Sequence, residues 1–100
     1  MLEKQLKIEQ IKNDKTLTCV LSGWLDPNTS PRLIEEINTE GITQLIFDLR
    51  QIEYVFSAGL RAFLILQKKM NEQSGTLRIT NVPATIRSIF EYAGFESMID

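Results

Sequence analysis

The sequence predicts an α/β domain: a mixed sheet of four to five strands that opens with an antiparallel pair and carries helices packed on it. Three observations point to this class. Strand-type and helix-type hydrophobic patterns alternate in the order β, β, α, β, α, β, α, followed by a short tail. Only Lys12-Asn13-Asp14-Lys15 separates the first two strand patterns, so they form a hairpin. Gln44 to Leu49 is a nearly continuous apolar run of strand length, as expected of a strand covered by helices on both faces or lying centrally, where parallel pairing follows.

Each element has a local reason. Leu6 and Ile8 recur at period two within Leu6 to Ile11, and Leu17, Cys19 and Leu21 alternate with Thr16, Thr18 and Val20. The Asn-Asp pair between them suits a tight turn, because both side chains bond nearby backbone and both tolerate left-handed conformations. Cys19 shares a face with Leu17 and Leu21, which predicts a packed, inert core thiol. Ser22 to Pro31 is dense in turn formers and reads as a loop, and the hydroxyl before proline predicts a helix beginning near Ser30. Leu33, Ile34 and Ile37 form its apolar side, Glu35 and Glu36 face outward, and Gly41 offers a left-handed stop. Ser57 to Asn71 is the longest helical pattern, and Leu60 with Ala62 to Leu66 predicts largely buried first turns before Gln67-Lys68-Lys69 surfaces. Gly75 ends the connection, and Thr76 to Thr80 alternates as a strand. Pro83 opens a last helix carrying Ile86, Ile89 and Phe90 that closes near Gly94, and Phe95 to Ile99 reads as a short final strand.

Composition narrows the function. One hundred residues make a single domain, 1–100, with no room for separate binding and catalytic halves. Eleven basic against thirteen acidic residues, with no basic run, offer little to nucleic acid or an anionic membrane. Histidine is absent and there is one cysteine, which removes the commonest general base and any His/Cys metal site. With no Gly-rich phosphate loop and no base beside Ser57 in the chain, the expectation is a protein that is not an enzyme and that uses no cofactor or metal. The longest apolar run, Ala62 to Leu66, is far short of the roughly 20 residues that cross a bilayer, so direct membrane insertion is not expected. The charged start, with Glu3, Lys4 and Lys7, is unlike a signal peptide, and a lone Cys19 cannot form an internal disulfide. Cytoplasmic residence and a free monomer are the expectations.

The informative stretch runs from Tyr54 to Leu64, out of the loop after the central strand and into the most apolar helix. Ser57 falls at the helix start, where its hydroxyl can cap the first turn, worth about 1 kcal/mol. The same free N–H groups and positive dipole end can receive an anion, so a phosphate on Ser57 is compatible with the fold. Arg61, four residues on, can either reach such a phosphate or pair with an acidic neighbour such as Glu53. Trp24 and Asp26 belong to the same sheet edge as Ser57. Trp24 reads either as a partner anchor or as an aromatic folded onto its own core, and Asp26 either as turn chemistry or as a partner contact. Asp48, at the end of its strand, reads as structural, tying neighbouring backbone.

Gly23-Trp24-Leu25-Asp26, then Leu45-Ile46-Phe47-Asp48-Leu49, then Phe56-Ser57-Ala58-Gly59-Leu60 follow one another at characteristic spacings. Asn81-Val82-Pro83, the helix with Ile86, Ile89 and Phe90, and Gly94-Phe95 complete a pattern over nearly the whole chain. In this order they resemble the STAS domains, and in particular the bacterial anti-anti-sigma factors, which implies a STAS-like (SpoIIAA-like) sheet. The resemblance further implies an anti-sigma factor antagonist that, unphosphorylated, binds an anti-sigma factor that is also a serine protein kinase, and is released by phosphorylation. Carried over by position, Ser57 is the phosphoacceptor, Gly59 allows close approach of the partner, and Leu60 anchors the helix. Trp24, Asp26, Phe56, Ala58, Gly59 and Arg61 make up the partner-binding surface. One position departs from the pattern: the family has Asp immediately before this serine, and here it is Phe56. That exchange removes a carboxylate beside the acceptor hydroxyl and puts an apolar group at the interface, which bears on partner choice. The alternative the resemblance leaves is a non-phosphorylated STAS scaffold subunit of a transport or lipid-trafficking complex, in which Ser57 only caps the helix.

Overall fold

The computed structural model describes residues 5–99; Glu3 and Lys4 lie outside them. Strands β1 (Leu6–Asn13), β2 (Thr16–Leu25), β3 (Gln44–Val55) and β4 (Thr76–Thr80) form one sheet in the order β1-β2-β3-β4. The β1/β2 pair is antiparallel, and β3 runs parallel to both of its neighbours. Helices α1 (Pro31–Glu36), α2 (Ser57–Glu72) and α3 (Ala84–Tyr92) supply the crossovers and the closing helix. The predicted class and element order therefore hold.

The hairpin turn sits one residue later than the Asn-Asp reading. Asn13 still pairs with Thr16, and Asp14 takes the left-handed conformation at φ 59°. Burial alternates along the strands: Leu17, Cys19 and Leu21 of β2, Leu45, Phe47 and Leu49 of β3, and Leu77 and Ile79 of β4 are buried, while Thr18, Val20, Ile46 and Arg78 between them are not. So β3 is central, but only one of its faces carries the core. Burial pushes the Cys19 thiol up to about 12, which keeps it protonated and inert at neutral pH. Phe63 of α2 sits over the sheet, edge-on to Phe47 at 5.0 Å and 6.0 Å from Phe90 of α3.

Several local expectations are corrected. Ser22 to Leu25 is not loop but the last part of β2: it stays paired to Gln51–Val55 because β3 bulges at two register shifts, and Gly23, at φ 101°, lets the Gln5 carbonyl come close enough to accept from the Trp24 amide at 3.2 Å. Helix α1 ends at Glu36; Ile37 leaves in an extended conformation yet stays buried, and Gly41 belongs to the turn before β3 rather than to a helix stop. Arg32 fixes this short helix, donating from Nη1 to the Leu6 carbonyl at 2.6 Å and pairing with Glu36 at 2.5 Å. In α2 the buried stripe is Leu60, Ala62, Phe63, Leu66 and Met70, whereas Leu64 and Ile65 are each 45% exposed. With one helix face on the core, residues a further 100° round the helix turn to solvent whatever their polarity. The tail is a 3₁₀ turn, Glu96–Met98, that buries Met98, and it adds only a single bridge, Ile79 to Ile99, to the sheet. Gly94, at φ 81°, closes α3 as expected.

Candidate functional site

The C-terminal ends of the parallel strands β2 and β3 come out beside the start of α2, the edge at which α/β sheets expose their loops. Leu25 pairs with Val55, and the Phe56 amide donates to the Leu25 carbonyl at 2.8 Å, fixing where the chain turns into the helix. Phe56 is extended (φ −87°, ψ 170°) and occupies the cap position; Ser57 is the first helical residue. The capping role for Ser57 is therefore not realised, because Ser57 lies one residue inside the helix and no side chain caps its first turn; the Phe56 carbonyl opens the ladder, accepting from Gly59 N at 2.9 Å and Leu60 N at 3.2 Å. The Ser57 hydroxyl is exposed, and the Ser57 and Ala58 amides precede the first helical hydrogen bond. Ser57→Ala is accordingly expected to change unfolding free energy by no more than about 0.5 kcal/mol, as checked by urea denaturation. A loss near 1 kcal/mol would restore the capping role.

Gly59 does not face outward. It is buried, and a Cβ there would lie 2.8 Å from Leu25 Cβ and 3.0 Å from Val55 Cγ1. The close approach it allows is that of α2 to its own sheet, which corrects the reading of Gly59 as a partner contact. Leu60, 6% exposed, anchors the same turn.

Trp24, Tyr54 and Phe56 form one surface cluster. Trp24 lies 5.8 Å from each of the other two rings, and Tyr54 meets Phe56 edge-on at 4.7 Å. Trp24 is half-buried against this cluster rather than folded into the core, and its indole N–H donates to Glu53 Oε1 at 3.3 Å. Tyr54 and Phe56 remain 42% and 38% exposed. Next to them a shallow groove of about 520 Å³ runs between the start of α2 and α3, lined by Tyr54, Phe56, Ser57, Leu60, Ile89 and Tyr92 among others, with no charged side chain in its lining.

Asp26 carries the turn chemistry expected of it. Its Oδ1 accepts from the Asn28 and Thr29 amides at 2.8 and 2.9 Å. Thr29 Oγ1 completes the knot, accepting from the Asp26 amide at 3.0 Å and donating to the Trp24 carbonyl at 2.7 Å. This holds Trp24 and the start of α1 in fixed relation. Asp48 likewise ties backbone, accepting from the Arg50 amide at 2.9 Å. Arg61 is exposed and forms no ion pair among the described residues, so the pairing with Glu53 is not made. It lines a small groove together with Ser57, Leu60, Leu64, Ala93 and Phe95.

Tyr54, Tyr92 and Thr29 have no site role assigned from the sequence. Tyr54 is signalled by its two-residue spacing from Phe56 at a strand exit, and Tyr92 by being the lone aromatic on the polar side of α3, where it is 97% exposed. Thr29 carries no signal of its own, because its bonds depend on where β2 ends. Among the described residues no group of acidic or sulfur side chains is placed to hold a metal ion, and no helix is long and apolar enough to cross a membrane.

The STAS domain family pattern matches residues 7–100. The anti-sigma-B factor antagonist of Staphylococcus aureus is 31% identical over 98 residues, which span 94% of this chain and 90% of that protein. Two solved structures share the fold at 19% identity, each over 95% of this chain. They are the anti-sigma factor antagonist SpoIIAA in its unphosphorylated form, with a TM-score of 0.82 over 85% of its length, and the Bacillus cell fate determinant SpoIIAA in the phosphorylated form, with 0.73 over 88%. With the family pattern spanning all but the first six residues, this chain belongs to the STAS domain family.

Proposed function

We propose that this protein is an anti-sigma factor antagonist: it binds an anti-sigma factor with serine kinase activity through the surface around Ser57, and phosphorylation of Ser57 ends the binding. The observation that carries this reading is the setting of Ser57. Its hydroxyl serves no structural bond among the described residues, stands exposed at the head of a sixteen-residue helix, and borders the Trp24–Tyr54–Phe56 cluster and its uncharged groove. A phosphate there adds close to two negative charges beside an aromatic surface. An interface that desolvates that surface cannot take up the dianion without a matching cation, so binding is lost while the fold is kept. The helix tolerates the modification because its positive end and the free amides of Ser57 and Ala58 face the anion. Relatives named as anti-sigma factor antagonists support the same role.

Within this reading Trp24 and Phe56 are the aromatic anchors, Asp26 holds the loop beside them and presents its second carboxylate oxygen, and Ala58 and Arg61 border the acceptor. Gly59 contributes only by seating the helix. The test is intact-mass measurement of the protein from its native cells under growth and stress, with fragmentation to locate any phosphate, followed by pull-down with both forms. A single phosphoryl group on Ser57 whose occupancy changes with condition, together with capture of a kinase-type anti-sigma factor by the unmodified form only, is the expected result. A chain that stays unmodified and co-purifies with transport or lipid-trafficking components would replace the switch with the scaffold reading.

A further inference from the structure

We infer that Arg61 is the positioning residue for a phosphate on Ser57, closing over it along the first turn of α2 and holding it in the groove they share. This rests on the reading of Ser57 as phosphoacceptor, and three observations lead beyond that reading to Arg61. Ser57 and Arg61 stand four residues apart on a continuous helix, the spacing at which side chains are neighbours. Both line one groove whose other walls are Leu60, Leu64, Ala93 and Phe95, so no carboxylate competes there for the guanidinium. Arg61 is exposed and unpaired among the described residues, whereas Arg32 of α1 is already engaged by Glu36 and the Leu6 carbonyl.

The residue before the acceptor is Phe56, so no anionic side chain adjoins the hydroxyl in the chain either. The guanidinium fork matches phosphate geometry and can take two of its oxygens while the Ser57 and Ala58 amides face the third. The consequence is a double change at the surface on phosphorylation: a dianion is added and the nearest cation is withdrawn from any acidic partner group. A cation held against the phosphate favours its dianionic form and lowers its second ionisation.

The test uses the full chain with phosphoserine installed at position 57 during translation, so that no kinase is needed, and follows the phosphate by ³¹P NMR titration. The midpoint in the otherwise wild-type chain is expected about 0.4 pH units below that in Arg61→Gln, the size of a partly exposed helical ion pair. Arg61→Lys is expected to recover about half of the difference, and 1 M salt, with a Debye length of about 3 Å, to shrink it. The helix dipole acts equally in all three chains, so only the side chain at 61 can separate them. Coincident midpoints for the wild-type and R61Q chains overturn the inference. Failure here leaves the phosphoacceptor reading standing, and absence of phosphate on Ser57 in cells leaves this result standing.

Discussion

Ser57→Asp is expected to weaken binding to the anti-sigma factor by about tenfold or more, a loss of about 1.4 kcal/mol of binding free energy, while the melting temperature stays level or rises slightly. The two readouts move apart because they depend on different neighbours. In the free protein the new carboxylate sits at the first position of α2, where an acidic side chain gains about 0.3–1 kcal/mol from the helix dipole. In the proposed complex the same charge would be pressed against the Trp24–Tyr54–Phe56 surface and lose its water. Calorimetric titration and a thermal scan of both proteins check this, with Ser57→Ala as the control that keeps binding. Equal affinity of the aspartate variant and the wild type would remove Ser57 from the interface. A single carboxylate carries about half the charge of a phosphoserine, so true phosphorylation should act more strongly still.

Gly59→Ala is expected to cost about 1 kcal/mol or more of stability and to lower the melting temperature by about 4–8 °C. Two effects oppose each other. Removing a helical glycine gains up to about 1 kcal/mol, but the added methyl meets Leu25 Cβ at 2.8 Å and Val55 Cγ1 at 3.0 Å. Neither contact is the free end of a flexible side chain: Leu25 is held by its pairing with Val55 and by the Phe56 amide on its carbonyl, so the helix must move instead. Overpacking of this kind costs about 1–3 kcal/mol and wins. The displaced α2 carries Ser57 and Arg61 with it, so partner affinity should fall in parallel. A melting temperature equal to wild type would show that the sheet yields to the methyl.

The fold was legible because its signals are local and periodic. Period two in Leu17, Cys19 and Leu21, the helical stripe through Leu60, Phe63 and Leu66, and the left-handed residues at Asp14 and Gly94 each follow from backbone geometry within a few residues. The misread elements are those whose state depends on distant contacts. Ser22 to Leu25 has a turn-like composition, yet pairing to Gln51–Val55 holds it in the strand, with β3 carrying the extra residues at the two register shifts. Ile37 continues the α1 pattern, but the chain must reach β3, and the helix yields after six residues. Leu64 and Ile65 are as apolar as Leu66 and are nonetheless exposed, because only the sheet decides which side of α2 is inside.

For the site, chain order already fixes which residues stand together. The order of the parallel strands and the start of α2 bring Trp24, Asp26, Phe56, Ser57 and Arg61 to one edge, since parallel strands must finish on the same side. What each of them does depends on contacts between segments far apart in the chain. A hydroxyl at a helix start can cap or stand free, and the bond from the Phe56 amide to the Leu25 carbonyl put Phe56 at the cap position and Ser57 one residue inside the helix. A glycine can admit a partner or the protein's own core, and the position of Leu25 and Val55 made it the core. Three aromatics separated in the chain became one exposed cluster because β2 and β3 pair in a bulged register. Where the helix is tied to the sheet, steric overlap and strand register are all relations between distant segments, and no local pattern encodes them.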